Sequence, residues 1–338
     1  MKRLEKAPRY RLRFAALAAV FAALLLGSVF LGRFHLTLSE LASLLGLSKA
    51  PVREGASNVL FQIRLPRIAA AVLVGAALSS AGASYQGMFR NPMVSPDILG
   101  ASTAAGFGAA MAILFGLGYF GITLTAFVFG IAAVLLSYLV SRFSRANETL
   151  ALILAGMVVS SLFSAGTSFV KLVADTQEQL PAITYWLMGS LASIKQKDLL
   201  FLTIPFVVGL LPLLLLRWRV NLLTVGEDEA KTMGVNTTAL RLAVIVCATL
   251  LTASAVAVSG MIGWVGLIVP HFCRMLFGSD YRRLLPATAV FGGAFLLLTD
   301  DIARTVTAGE IPIGILTAFV GAPIFLWLIL RGGARNAR

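Results

Sequence analysis

Long apolar runs separated by short polar segments dominate the pattern of this 338-residue chain. The runs are continuous rather than alternating, which favours membrane-spanning helices over the strands of a barrel. A span needs roughly 20 mainly apolar residues, and the pattern offers about ten such segments. They lie at 14–32, 64–86, 97–115, 120–141, 149–170, 197–216, 240–259, 262–277, 286–303 and 312–330. The sequence therefore predicts an all-α integral membrane protein with about ten transmembrane helices, in a single domain over residues 1–338.

Two polar segments between the spans carry signals of their own. Residues 171–196 include a stretch at 181–191 with Tyr185 and Trp186, aromatic residues that favour the headgroup level, so a short interfacial helix is expected there. Residues 221–236 form the only long polar, amphipathic stretch between two spans. Its apolar stripe consists of Leu222, Leu223, Val225, Ala230 and Met233, and its charged side of Glu227, Asp228, Glu229 and Lys231. This segment is expected to face a soluble partner in the cytoplasm.

Composition and charge narrow the class of protein. The chain is 58% hydrophobic and 13% charged, with a mean hydropathy of +0.89, which excludes an ordinary soluble domain. The net charge of +13 comes from Lys and Arg that are unevenly distributed between the two sides of the membrane. Ten spans place 19 of the 28 Lys and Arg in the cytoplasm and 9 outside. This bias predicts cytoplasmic termini and contact with anionic lipid rather than nucleic acid. The first apolar run is interpreted as a retained span and not as a signal peptide.

A glycine–proline spacing recurs in the two halves of the chain. Gly82 precedes Pro92 by ten residues, and Gly260 precedes Pro270 by ten. The first pair follows a span that runs inward and the second a span that runs outward. Transporters are often built from inverted repeats of this kind, so a possible inverted repeat is one interpretation.

The motifs that are missing exclude several kinds of chemistry. The chain contains no Gly-Lys pair, so it has no phosphate-binding loop of the Walker type. His35 and His271 have no second ligand at metal-binding spacing, so no metal site is expected. No catalytic cluster is evident, which disfavours a membrane-embedded enzyme. Asp300 and Arg304 have the spacing of a local helix-end pair.

Ionisable residues are rare within the spans. Asp97, Asp300 and Asp301 lie at span edges and are the available candidates for ion coupling. An energy source outside the chain therefore fits better than a stand-alone ion-coupled secondary transporter, which stays as the alternative function.

Three arginines are predicted at the outer surface. Arg64 and Arg67 are three residues apart and so share one face of a helix, and Arg304 falls at the same side of the membrane. On the residues alone, two interpretations are open: the arginines anchor the protein to lipid headgroups, or they dock an acidic partner. In the second case each ion pair is weak, and several together set the orientation and the association rate of the partner.

Six ordered stretches carry a resemblance to a known family. They are QIRLPR at 62–67, RNPMVSPDILG at 90–100, YWLMGSL at 185–191, VGEDEAKTMGV at 225–235, the stretch from Gly-Met-Ile-Gly to Leu-Leu-Pro at 260–286, and 298–323 with DDIAR, EIPIG and GAP. Over nearly its whole length the chain resembles the permease subunit of ABC importers for iron-siderophore, haem and cobalamin, the FecCD type. The resemblance implies a fold like that of the cobalamin permease.

The resemblance also implies roles for particular residues. Residues 225–235 match a pair of short coupling helices that enter the ATPase cleft, and Arg64, Arg67 and Arg304 match arginines that grip the binding protein. The implied coupling residues are Val225, Gly226, Glu227, Asp228, Glu229, Ala230, Lys231, Met233 and Gly234. The implied pathway and gate residues are Asn91, Met93, Thr149, Leu150, Ser160, Ser161, Ser164 and Thr167. Glu148, next to the implied gate, departs from the pattern and is interpreted as an acid that favours the helix start.

The function implied by the resemblance is import of a metal chelate across the inner membrane of a bacterium or archaeon. Ferric siderophore is favoured as cargo, with haem and cobalamin as alternatives. The implied partners are a second copy of the permease, two cytoplasmic ATPase subunits and a periplasmic or lipid-anchored substrate-binding protein. No cofactor is expected in this chain, because ATP and Mg²⁺ are bound by the ATPase.

Overall fold

The computed structural model describes residues 6–144, 147–307 and 309–336, and the regular secondary structure of these residues is helical. The ten longer helices are α1 (Lys6–Phe30), α4 (Leu65–Met88), α5 (Ala101–Leu114), α6 (Tyr119–Phe143), α7 (Glu148–Val173), α9 (Gln196–Val225), α11 (Thr237–Ser259), α12 (Val265–Phe277), α13 (Tyr281–Thr305) and α14 (Ile313–Asn336). The short helices are α2 (Leu38–Leu44), α3 (Ala56–Asn58), α8 (Gln179–Met188) and α10 (Glu227–Thr232). A π-helical stretch, Val59–Arg64, joins α3 to α4 without a break.

Each predicted span coincides with one of the longer helices, so the prediction of an all-α membrane protein with about ten spans is confirmed. Within the described residues, seven helices are long and apolar enough to cross a membrane, and three further apolar helices are shorter. The largest boundary error lies at the sixth span, which was expected to end at residue 216. Helix α9 continues to Val225 because its polar last turns still pack against the protein through Val220 and Leu223. The helix expected near Tyr185 and Trp186 is α8.

Helices α4 and α11 form the buried centre of the molecule, whereas α1 and α9 expose most of their surface. Small residues allow the close packing at the centre. A Cβ atom on Gly82 of α4 would lie 1.9 Å from the carbonyl oxygen of Gly266 in α12, and one on Gly75 would lie 2.2 Å from that of Gly292 in α13. Such contacts replace the hydrophobic driving force that is missing between helices in lipid.

Two helices at the centre begin after irregular backbone. Residues 89–100 precede α5 and residues 260–264 precede α12, and the helices themselves have 14 and 13 residues, about 20 Å each. Each irregular segment contains a non-glycine residue with positive φ, Arg90 at +52° and Trp264 at +70°. Irregular backbone at membrane depth is tolerated where it is enclosed by protein or lines a cavity.

The glycine–proline spacing does not mark equivalent positions in the fold. Gly82 lies inside α4, whereas Gly260 follows the end of α11 with a φ of +69°. Pro92 lies between helices and Pro270 lies inside α12. The recurrence is therefore a coincidence of spacing, and the inverted repeat stays a hypothesis without this support.

Candidate functional site

The polar segment at 221–236 contains one short helix between two long ones. Helix α9 ends at Val225, Gly226 adopts extended backbone, and α10 occupies Glu227–Thr232. Gly234 then takes a φ of +77°, which favours glycine, and the side chain of Asn236 caps the start of α11 by accepting from the Ala239 amide at 2.9 Å. The resemblance implied a pair of short helices in this segment, and that prediction is wrong: the segment contains one. This helix has six residues and is followed by the turn at Gly234.

The surface of α10 is acidic at its centre and apolar at its edges. Ala230 is fully buried and fixes the helix to the bundle, and Leu223 is buried beside it. Asp228, Glu229 and Lys231 are exposed, as are the large apolar side chains of Val225 and Met233. The predicted apolar stripe is therefore split, since only part of it packs inward. The exposed remainder is the kind of surface that a protein partner covers.

The C-terminal end of α9 is bound to the start of α13 by hydrogen bonds. The Asn221 side chain donates to Asp280 Oδ1 at 2.7 Å and accepts from the Tyr281 amide at 2.8 Å. Asp280 also caps α13 by accepting from the Arg282 amide. Burial alone would raise the pKa of Asp280, but hydrogen bonds from Arg282 and Asn221 outweigh it and hold the pKa below the ordinary value.

Tyr281 extends this contact into the centre of the bundle. Its hydroxyl donates to the Ala83 carbonyl of α4 at 2.9 Å, and its ring packs against Gly87 together with Val220 of α9. The end of α9, the start of α13 and the last turns of α4 are thus joined by a continuous set of contacts. Sequence spacing could not reveal this link, because its members are some 60 and 200 residues apart.

The three predicted docking arginines lie together, but their guanidinium groups are buried. Arg67 binds Asp300 in a bidentate pair at 2.8 and 2.9 Å, and its third nitrogen binds Glu310 at 2.9 Å. Arg304 binds Asp301 and the Ser28 hydroxyl, and Arg64 binds the Val29 carbonyl at 2.6 Å. Each of the three residues is at most 6% exposed. The predicted local pairing of Asp300 with Arg304 is a 3.9 Å contact, secondary to the bond with Arg67.

The predicted pathway residues of α7 divide between two faces of that helix. Ser161 and Ser164 lie on an exposed face that also presents Met157 and Leu154. Ser160 and Thr167 are half-buried, Ser160 against Gly100 and Thr167 through a hydrogen bond to the Phe163 carbonyl at 2.9 Å. An uncovered face that mixes small, polar and apolar side chains is suited to a second protein chain or an aqueous pathway more than to lipid alone.

The predicted gate residues are not all brought together. Thr149 accepts from Arg241 at 3.1 Å and lines a cavity of about 400 Å³, cavity B, with Met88 and Phe89. Asn91 and Met93 form an exposed turn, in which the Asn91 side chain accepts from the Met93 amide, and they are not part of the lining of cavity B. Leu150 is exposed.

Glu148 lies at the start of α7, as interpreted, but it is not the residue that caps this helix. The residue that caps α7 is Asn147, which accepts from the amides of Thr149 and Leu150. Glu148 lies in the first turn, where an acid is favoured, and also pairs with Arg241 of α11 at 3.0 Å. Its carboxylate therefore bridges two helices at the edge of cavity B.

A second cavity, cavity A, lies among the two irregular segments and α14. It measures about 760 Å³ and is bounded by Asp97, Ser102 and Thr103 near the start of α5, by residues 261–264, and by α14 from Gly314 to Pro323. The remaining wall comes from the end of α8. The sequence analysis placed the pathway on α7 and missed this site. Its sequence signal is the absence of helix-forming pattern around Gly260 and Gly263.

Metal binding within the protein finds no support in the side chains: the described part of the chain has no group of three His, Cys, Asp or Glu able to hold an ion. The two cysteines, Cys247 and Cys273, are buried and unpaired.

Taken together, the helices and cavities define a polytopic helical membrane protein. The FecCD transport family model matches residues 19–331, and the chain belongs to this family. Family members are permease subunits of ABC transporters and are not themselves enzymes.

Individual relatives carry different cargo names. The molybdate import system permease protein MolB of Haemophilus influenzae is 42% identical over 334 residues, covering 96% of this chain and 97% of the relative. The hemin transport system permease protein HmuU of Yersinia pestis is 35% identical, covering 96% of each chain. A solved structure described as an inward-facing conformation of a metal-chelate type ABC transporter has 41% identity and a TM-score of 0.86, covering 95% of this chain and 99% of the other.

Proposed function

We propose that this chain is the membrane-spanning subunit of an ATP-driven importer that carries a metal chelate across the cytoplasmic membrane. The observation that carries the proposal is α10, a short acidic helix with exposed apolar edges, fixed to the bundle between two long helices. A chain without a Walker motif that belongs to a family of ABC permeases needs a contact of this kind with an ATPase. Both termini then lie in the cytoplasm, on the same side as α10.

The proposed assembly contains two copies of this chain, two ATPases and one binding protein. The exposed face of α7 with Ser161 and Ser164 is available for the second copy and for the pathway between them. ATP and Mg²⁺ are bound by the ATPases, and no cofactor is assigned to this chain.

The proposed mechanism is alternating access, and linkage between ligand binding and conformation sets its energetics. Binding of ATP favours the state in which the ATPases close, and their motion moves α10 and, through Asn221 and Asp280, the start of α13. ATP and the loaded binding protein shift the equilibrium between outward-facing and inward-facing states only by their differential affinity for the two.

Docking of the binding protein is assigned to the outer arginine cluster, Arg64, Arg67 and Arg304. Glu310 is the most accessible of their acidic partners, with a side chain 30% exposed. An acidic side chain of the binding protein takes the place of Glu310 on Arg67 in this proposal. Glu310→Gln removes the competing charge, so the binding protein should dock more tightly at low salt. An unchanged affinity of the permease for the binding protein would count against a docking role of the arginine cluster.

Ferric siderophore is the favoured cargo, and the relatives named for hemin and molybdate show how widely cargo varies at this level of identity. The alternative, a stand-alone ion-coupled transporter, needs an ionisable group free to bind an ion. Asp300 and Asp301 are each committed to an arginine, so only Asp97 of the three edge carboxylates is available for it.

The test changes the exposed edges of α10. Val225→Asp with Met233→Asp places charge on a surface that an ATPase would bury, and both side chains are more than half exposed, so the bundle is preserved. Co-purification of the ATPase in mild detergent is expected to fall by about tenfold or more. Leu45→Asp with Leu47→Asp, two exposed apolar residues after α2 and away from α10, serve as the matched control. Uptake into proteoliposomes driven by an ion gradient, without any ATPase, would overturn the proposal in favour of the alternative.

A further inference from the structure

A third cavity, cavity C, lies where α1 begins, α12 ends and α13 begins. It measures about 300 Å³ and is lined by Tyr10 and Arg13 of α1, by the stretch from Arg274 to Gly278, and by Arg283 of α13. A water molecule takes up about 30 Å³, so the cavity has room for a polar group of several atoms. Tyr10 is the first residue of the apolar span in α1, which places cavity C at the headgroup level of a membrane.

The charged lining of cavity C is cationic. It consists of Arg13, Arg274 and Arg283, and no Asp or Glu is among the lining residues that the structure describes. Asp280, three residues before Arg283, is already bound to Arg282 at 3.0 Å and caps α13. Arginine keeps its charge in proteins, so three positive charges meet at this cavity.

Arg274 lacks an acceptor for one of its donors. The residue is half-buried in the last turn of α12, with its guanidinium group beside the Tyr281 hydroxyl. Its Nη2 atom is buried and has no hydrogen-bond partner within residues 6–144, 147–307 and 309–336. A buried charged donor without an acceptor is costly, and native proteins usually satisfy such a group with a side chain, a water or a ligand. An anionic oxygen in cavity C would supply the acceptor that Arg274 lacks.

The other two arginines are oriented by contacts with neighbouring helices. Arg13 donates through Nη1 to the Leu276 carbonyl of α12, and the Arg283 guanidinium group lies over the Tyr10 ring at 5.1 Å from its centroid. Because a guanidinium group has five N–H donors, these contacts hold both groups beside the cavity and leave donors for a ligand.

We propose that cavity C binds a phosphate group, supplied by an anionic membrane lipid. The planar fork of arginine matches phosphate oxygens, and basic pockets between transmembrane helices bind anionic headgroups. A lipid fits better than free phosphate, because the cavity lies at the end of a span and beside two exposed apolar side chains, Met275 and Leu276, along which acyl chains can pack. The three positive charges favour a headgroup with a net negative charge over a zwitterionic one, whose cationic group they repel. A bound lipid would join α1 to α12 and α13, whatever the protein transports.

The experiment measures lipid binding to the purified full chain after its own lipids have been removed in mild detergent. Native mass spectrometry gives the apparent affinity of the first bound lipid for phosphatidylglycerol, which is anionic, and for phosphatidylcholine, which is zwitterionic. Thermal unfolding is followed with both lipids and with inorganic phosphate. Phosphatidylglycerol is expected to bind about tenfold more tightly than phosphatidylcholine and to raise the unfolding temperature, and inorganic phosphate at the same concentration should not.

Paired variants test whether the lipid binds in cavity C. Arg13→Gln with Arg283→Gln should weaken binding of phosphatidylglycerol about tenfold or more, because each basic residue near the membrane surface contributes about a fivefold change in affinity. Arg11→Gln with Arg142→Gln is the matched control. It removes the same two charges from exposed positions outside the lining of cavity C, and the affinity should stay within about twofold. If the first double variant does not fold, Arg13→Gln alone, at an exposed residue, should still lose about fivefold.

Three results would overturn the proposal. The first is an affinity for phosphatidylglycerol no higher than that for phosphatidylcholine. The second is an equal loss of affinity in the two double variants, or in Arg13→Gln and Arg11→Gln, which would show that general surface charge attracts the lipid. The third is equal stabilisation by inorganic phosphate and phosphatidylglycerol, which would assign the site to free phosphate.

Discussion

At the scale of single residues, the clearest departure from the sequence analysis concerns the arginines. Their positions at the ends of spans were predictable, and their partners were not, because Arg67 and Asp300 are 233 positions apart. A pattern of charges along a chain shows which groups need compensation, but only packing decides which opposite charge is near. The fold turns three groups expected at the surface into a buried network.

Loss of one member of this network should destabilise the protein strongly. Arg67→Met leaves Asp300 buried without its bidentate partner, and removal of one side of a buried pair costs about 3–5 kcal/mol. Thermal unfolding in detergent measures the loss. Arg67→Met with Asp300→Leu should recover most of it, because Asp300 is then gone and Glu310, the other partner of Arg67, is 30% exposed and reaches water. Arg142→Ala, an exposed arginine, is the control. Equal losses in the single and double variants would contradict this account.

The outer segment between α1 and α4 should respond to acid. Glu40 binds the Arg53 side chain, at 2.9 Å through one nitrogen, and the Thr37 amide, and these bonds hold the pKa of Glu40 well below its ordinary value of 4.5. A folded-state pKa below that of the unfolded chain gives stability that is complete above about pH 4.5 and is lost as pH falls towards the folded value. After correction for the intrinsic exchange rates, the protection of amides around Thr37 should therefore fall below about pH 4.5.

Glu40→Gln is the control for this acid response. It removes the titrating group while keeping a side-chain acceptor, so exchange around Thr37 should be faster at neutral pH and nearly independent of pH after correction for intrinsic exchange rates. An unchanged pH dependence in Glu40→Gln would show that another group titrates.

At the scale of elements, apolar runs were sufficient to predict the ten long helices, because a lipid environment allows few other structures. They did not reveal the irregular segments before α5 and α12, since residues 98–100 and 262–264 continue into apolar runs and the glycines at 260 and 263 are the main sequence signal there. Nor did they predict cavity A, which exists only where these segments and α14 meet. The short α10 was located by its polarity, but its single-helix form depends on the turn at Gly234.

Close helix contacts should make some glycines irreplaceable and leave others free. In Gly82→Ala the new Cβ would meet backbone of α12, so we expect a loss of about 2 kcal/mol or more in unfolding free energy. Gly27→Ala is the matched control inside α1, where a Cβ has open space and a gain of up to about 1 kcal/mol is expected from helix propensity. Equal effects of the two variants on thermal unfolding would exclude close packing as the cause.

At the scale of the whole molecule, hydrogen bonds connect the short helix α10 and the end of α9 to the centre of the bundle. The end of α9, the start of α13 and the last turns of α4 are connected by Asn221, Asp280 and Tyr281. The family resemblance predicted the roles of α10 and of helices in the bundle. The connection between them had to come from the packing.

This connection yields a prediction about coupling rather than folding. In the complete complex, Asn221→Ala should leave ATPase binding intact, because α10 and its exposed edges are unchanged, but should reduce the cargo imported for each ATP hydrolysed by about tenfold. The reason is that α9 then moves without α13. Parallel assays of ATP hydrolysis and uptake in proteoliposomes measure this ratio, with Thr224→Ala, one exposed turn further along α9, as the control.

Asp280→Asn keeps a cap for α13, so its effect should not add to that of Asn221→Ala if both act through one contact. A fully additive loss, or an unchanged ratio in Asn221→Ala, would show that motion reaches the centre by another route.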